Sequence, residues 1–177
     1  MDCNPELIAA AQNNTAKLGF SDRFALHTGE LADTRFLENL RMEASPVQLV
    51  MANPPWRLVG SGRLPATEAR RKALFGDKGT FPLFTSAASS LLEEDGRFAC
   101  IISPDRLQDM LAALDGAGLT PYLLQYIHKQ KTSPATFVLI EARKGAHAKP
   151  SVAEPIALYG PERFFTLESL AFCPFLL

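Results

Sequence analysis

Little in this sequence supports a metal centre or a disulfide framework. Its 177 residues hold three cysteines, Cys3, Cys100 and Cys173, far apart and with no CxxC pair. That removes the usual zinc and disulfide patterns and points to a reduced, intracellular protein. The three histidines, His27, His128 and His147, form no recognisable constellation, so no metal site is expected. No serine or cysteine has a base partner at a spacing that would mark a nucleophile. No apolar run approaches the ~20 residues that span a bilayer. The opening Met1-Asp2-Cys3-Asn4-Pro5 lacks the basic and apolar regions of a signal peptide, so the expected location is the cytoplasm. The net charge of −1 excludes nucleic-acid binding by overall field alone. Repeats, low-complexity tracts and linkers are also missing, and residues 1–177 read as a single domain.

The hydrophobic content of 47% is enough for a real core, and the patterns alternate between two periods. Asn4-Pro5-Glu6 reads as a helix start, with an asparagine cap, proline at the first helical position and an acid in the first turn. Leu7, Ile8, Ala11, Thr15 and Leu18 then recur at helical spacing, and Gly19 is a stop. Phe24-Ala25-Leu26-His27 is a short strand candidate, and Asp33 or Thr34 can cap a second helix through Leu40. Residues 47–52 form a near-continuous apolar run, as expected for a parallel strand covered on both faces. An irregular stretch with Gly60, Gly62 and Pro65 follows. A helix is expected from about residue 82 to 92, a buried strand over 98–102, and a helix on Leu107, Leu111 and Leu114 closed by Gly116 and Gly118. Strands over 122–128 and 136–141 follow, joined by the turn Lys131-Thr132-Ser133-Pro134. Residues 145–153 are the loosest stretch, and the tail holds a short strand over 156–159 and a weak helix near 167–170. Strands alternating with helices indicate an α/β sheet with parallel crossovers, whose ligands sit outside the carboxyl ends of the strands.

At one such end stands Asn53-Pro54-Pro55-Trp56. A buried strand ending in Asn-Pro-Pro-aromatic resembles the active-site signature of methyltransferases that act on a planar nitrogen. The residue types suit that chemistry. The lone pair of an exocyclic adenine amine is delocalised into the ring, so the amine is a poor nucleophile. Acceptors for both amine hydrogens favour a more tetrahedral nitrogen, and the Asn53 side-chain oxygen and the Pro54 carbonyl are such acceptors. The two prolines fix φ and hold that carbonyl in place beforehand. Pro55 has no backbone donor to compete, and Trp56 offers a flat face for an extruded base. Catalysis of this kind is mainly positioning and electrostatics.

More of the chain resembles one family, the small-domain N-methyltransferases that use S-adenosylmethionine, and above all the tRNA adenine-N6 methyltransferases that modify the valine tRNA anticodon loop. Asp2 with Asn4-Pro5-Glu6-Leu7-Ile8 and Ala11-Gln12-Asn13-Asn14 is similar to the end of the family's second strand and the helix after it. Phe20-Ser21-Asp22-Arg23 with His27-Thr28-Gly29-Glu30-Leu31 resembles its third strand. Gly96-Arg97-Phe98 through Ser103-Pro104 resembles the fifth, and residues 137–143 the last. The resemblance implies a Rossmann-like class I methyltransferase sheet with helices on both faces and strand order 3-2-1-4-5-7-6. It implies that Asp2 binds both ribose hydroxyls of the cofactor, that Glu30 accepts from its adenine amine, and that Leu31 and Asn53 also contribute to cofactor binding. The family more often has Asp at the Glu30 position and Tyr at the Trp56 position.

The family's Asp-x-Gly-x-Gly turn, its first strand, the helix after it and most of its second strand have no counterpart in the chain. An N-terminally truncated sheet is therefore expected, with exposed edges and an uncovered helix face. Three readings follow: an incomplete copy of a longer enzyme, a remnant that binds no cofactor, or a sheet completed by a second chain. Residues 57–78 carry Arg57, Arg63, Arg70, Arg71, Lys72 and Lys78 against Glu68 and Asp77, a local +4. This segment favours an RNA substrate, tRNA first, with Arg70, Arg71 and Lys72 on phosphates; the plainer reading is a solvated loop and helix face. Guanine N2 of ribosomal RNA and the glutamine amide of release factors obey the same planar-nitrogen logic, and DNA adenine methylation fits it too, although no target-recognition domain is visible. A noncatalytic binding module is the reading from another class.

Overall fold

The computed structural model describes residues 1–44, 46–58, 65–145, 149–162 and 164–173. Gly60, Gly62, Arg63 and His147 lie outside the described residues. The chain divides into two compact units, Met1–Ser45 and Pro46–Leu177.

In the first unit, α1 spans Pro5–Lys17 and starts where its signals put it: the Asn4 side chain accepts from the Glu6 N–H at 2.9 Å. Gly19 ends it in the left-handed region at φ 72°, a conformation that costs glycine little. Helix α2, Thr34–Glu43, is capped by Asp33, whose carboxylate accepts from the Arg35 and Phe36 N–H groups. Residues 24–27 do not form the expected strand. They follow a 3₁₀ turn over Ser21–Arg23, and among the described residues the nearest ladder contact is a single parallel bridge between Asp2 and Thr28, just past the run. An extended segment needs a neighbour along its length to become a strand. Neither α1 nor α2 buries a residue, and Leu7, Leu18, Phe24 and Met42 are exposed.

The second unit is built on a six-stranded sheet. Its strands are β1 (Val47–Ala52), β4 (Leu92–Ile102), β5 (Leu119–His128), β6 (Ala135–Lys144), β7 (Ser151–Val152) and β8 (Ile156–Ala157). The order is β1-β4-β6-β5-β7, with β8 also on β5. Strand β1 runs parallel to β4, and β6 runs antiparallel to both β4 and β5. Taken with the sequence correspondences, this is the 4-5-7-6 half of the order that the resemblance implies. A small second sheet pairs β2 (Arg57–Leu58) with β3 (Phe75–Gly76), and α3 (Glu68–Leu74) lies between them in the chain. Part of the stretch expected to be irregular is thus ordered, because Thr67 caps α3 at the Arg70 N–H. Residues 145–153, read as the loosest stretch, contain β7.

Helices α4 (Thr80–Leu91) and α5 (Leu107–Gly116) pack on one face of the large sheet. Facing pairs there alternate large and small: Phe98 opposite Ala142, Cys100 opposite Ile140, and Ile102 opposite Val138, all buried. Fully burying one such apolar side chain contributes about 1.5–3 kcal/mol. Thr85 is buried on α4 and donates to the Ala113 carbonyl of α5 at 3.0 Å, which ties the two helices. Lys144 donates to the Ser89 and Leu92 carbonyls at 2.9 and 2.8 Å, so a cation closes the carboxyl end of α4. On the opposite face, α6 (Leu167–Phe172) brings Phe172 to an open cavity. Strand β1 is not covered on both faces as its apolar run suggests. Among the described residues it is a terminal strand of the sheet, paired with β4 alone, and Met51 is 75% exposed. No helix among the described residues is long and apolar enough to cross a membrane.

Burial pushes the Cys100 thiol from its ordinary 9.0 up to about 12, because an apolar surrounding disfavours the thiolate. The unfolded chain loses this proton first, so stability is unaffected below pH 9.0 and falls as pH rises from there toward about 12. In a thiol titration of the native protein, exposed Cys3 is expected to react first and half-buried Cys173 more slowly. Cys100 should react only after denaturant is added; three fast thiols in the native state would contradict its place in the core.

Candidate active site

Strand β1 ends at Ala52, and residues 53–56 follow without regular structure at its carboxyl end. That is where a parallel α/β sheet offers a ligand site. Asn53 is exposed, Pro54 is fully buried, and Pro55 and Trp56 are half-buried. Neither proline has an N–H, so the turn must be held largely through its carbonyls and side chains.

Three neighbours hold it. The Arg106 Nη1 donates to the Trp56 carbonyl at 2.7 Å. The Trp56 ring meets Phe137 of β6 edge-on, with centroids 6.1 Å apart and planes at 74°, a favoured aromatic geometry. Gly76 of β3 comes so close that a Cβ there would lie 2.4 Å from the Pro55 carbonyl oxygen; any side chain would push the turn away. The Arg57 guanidinium lies over the Trp56 ring at 5.3 Å from its centroid. A face read as a stacking surface for a base thus already carries a cation. Asn53 also borders a cavity of roughly 550 Å³ on the sheet face opposite α4 and α5, with Met51, Ala99, Ile101, Leu139, Glu141 and Phe172.

The residues expected to bind cofactor lie in two groups. Asp2, Glu30 and Leu31 belong to the first unit, and Asn53 to the second. Within the first unit, Asp2 donates its N–H to the His27 carbonyl and accepts from the Gly29 N–H, both at 3.2 Å. The parallel bridge sets Glu30 two residues beyond Thr28, so Asp2 and Glu30 follow neighbouring extended segments at the same end. The Asp2 carboxylate accepts from the Asn4 N–H at 2.8 Å, which fixes its rotamer. Arg70, Arg71 and Lys72 are exposed on α3. Among the described residues no group of His, Cys, Asp and Glu could hold a metal ion.

Sequence reasoning missed Arg106, Gly76 and Phe137. Arg106 carried one local signal, an Asp three residues later in a chain that then turns helical. Gly76 and Phe137 carried none, because their role exists only through residues about 20 and 80 positions away.

No protein-family model and no curated protein matches the chain. Solved structures do resemble it. A predicted O-methyltransferase from Agrobacterium tumefaciens is 20% identical with a TM-score of 0.67, covering 93% of this chain and 70% of its own. A modification subunit of a putative type I restriction enzyme from Vibrio vulnificus is 12% identical with a TM-score of 0.54, covering 97% of this chain and 39% of its own. An O-methyltransferase family 2 protein from Planctomyces limnophilus, in complex with apigenin, is 16% identical with a TM-score of 0.51, covering 81% and 41%. The chain therefore has the Rossmann-like fold of methyltransferases, and it spans 70% of the first of these proteins and about two fifths of the other two.

Proposed function

We propose that this chain is part of an S-adenosylmethionine-dependent N-methyltransferase whose target is a planar exocyclic nitrogen, adenine N6 in tRNA. The observation that carries the reading is the 53–56 turn at the carboxyl end of β1, with its carbonyl side held by a buried arginine. Asn53 and the Pro54 carbonyl accept from the target amine, and Trp56 borders the base. Asp2 and Glu30 are acceptors at the same end of neighbouring segments, which fits the ribose hydroxyls and adenine amine of the cofactor; Leu31 is adjacent. The cofactor supplies an electrophilic methyl group when bound. The chain's own residues bind and orient the amine, and the proton leaves after transfer without a dedicated base. Residues 1–177 act as one partial catalytic domain in the cytoplasm, completed by a glycine-turn segment or by a second chain. The exposed basic residues of α3 support a nucleic-acid substrate.

Two measurements test this. Calorimetric titration with S-adenosylhomocysteine is expected to give micromolar binding once the sheet is complete. Incubation with tritiated S-adenosylmethionine and an unmodified tRNA transcript is expected to place the label in N6-methyladenosine. Label in guanine N2, in DNA adenine or in a glutamine amide would move the target while keeping the chemistry. A folded protein that binds no S-adenosylhomocysteine, even with its full sheet, would leave a noncatalytic binding module.

A further inference from the structure

Arg106 is the one charged side chain among the described residues that is buried, at 3% exposure. Removing a guanidinium from water is costly unless it is paired and hydrogen-bonded, and an apolar side chain of similar volume is often as good for stability. Packing alone therefore gives no reason for an arginine here. Its contacts do. The Nε donates to an Asp109 carboxylate oxygen at 2.7 Å, the guanidinium lies over the Phe81 ring at 4.5 Å, and Nη1 donates to the Trp56 carbonyl at 2.7 Å. Asp109 is 61% exposed, so the ion pair is screened and adds little by itself. Asp109 and Phe81 fix the plane of the guanidinium, and the fixed plane aims one N–H at the turn. The turn needs an outside donor, because prolines at 54 and 55 leave it no backbone N–H at two successive positions.

We propose that Arg106 is a positioning residue for the 53–56 motif. By holding the Trp56 carbonyl, it sets the Pro54 carbonyl and Asn53 through the two rigid proline φ angles. The catalytic part of this rests on the methyltransferase reading; the positioning part does not. A planar fork gives two directed hydrogen bonds and a stack at once, which lysine cannot reproduce.

Trp56 is the only tryptophan in the chain, so intrinsic fluorescence reports on this turn without cofactor or substrate. Arg106→Met keeps much of the volume and removes the donors; Arg106→Lys keeps the charge and removes the fork. Both variants are expected to retain the native far-UV circular dichroism while acrylamide quenching of Trp56 rises about twofold or more and its anisotropy falls. In the complete enzyme, the single-turnover rate is expected to drop about 10- to 100-fold, as misplacement of a reacting group on the order of 1 Å does, with S-adenosylhomocysteine affinity unchanged. Native Trp56 quenching in either folded variant would overturn the proposal. So would unfolding of both, since Arg106 would then be a stability residue. Altered fluorescence in a protein that transfers no methyl group would keep the positioning role and remove the function proposed above.

Discussion

Asn53→Ala is expected to lower the single-turnover rate of methyl transfer on the order of 10²- to 10³-fold, the scale of removing one preorganised hydrogen-bonding group from a transition state. The affinity for S-adenosylhomocysteine should fall by far less, by under about tenfold. Asn53 is exposed at the end of β1 and is not part of the core, so the variant should fold normally. The asymmetry follows from the chemistry. The amide oxygen gains most when the amine nitrogen becomes tetrahedral, which happens only as the methyl group arrives. Rapid-quench measurement with saturating cofactor, beside calorimetry on the same preparation, separates the two quantities. Equal losses in rate and affinity would mean that Asn53 holds cofactor and does not activate the amine.

Phe81→Ala should have the largest effect on stability. The side chain is 1% exposed and belongs to the main core cluster, so truncation leaves a cavity between α4 and the sheet. The expected cost is about 3–5 kcal/mol, seen as a fall in Tm on the order of 10 °C. A second contribution comes from the Arg106 guanidinium over the ring, a contact whose strength grows when water is excluded. Phe81→Leu refills most of the cavity without restoring that contact. It should recover most of the stability while Trp56 fluorescence still shows a loosened turn. A loss below about 1 kcal/mol for Phe81→Ala would mean that the ring is not packed as described.

Local patterns reach as far as the interactions they encode. The chain motif at 53–56 is contiguous, and its rigidity comes from proline geometry within the four residues. The caps of α1 and α2 are equally local, because the side chains of Asn4 and Asp33 bond N–H groups two or three positions on. The strand at 24–27 failed for the converse reason. Its residues have the right composition, but a strand exists only with a partner, and here pairing stops after the Asp2–Thr28 bridge. The apolar run of β1 likewise pointed to cover on both faces, yet cover is set by what packs on each face: Val50 and Ala52 pack against the core, while Met51 is 75% exposed.

The sequence by itself determined the caps of α1 and α2, the alternation of strands with helices, and the 53–56 turn with its proline-fixed backbone, because each depends on interactions within a few residues. Only the tertiary structure decided that Thr85 of α4 bonds the Ala113 carbonyl of α5, that Gly76 closes on the Pro55 carbonyl, and that Arg106 reaches back 50 positions to grip the Trp56 carbonyl. Those features arise from hydrogen bonds and packing closed across long loops, and no run of neighbouring residues encodes which distant partner will close them.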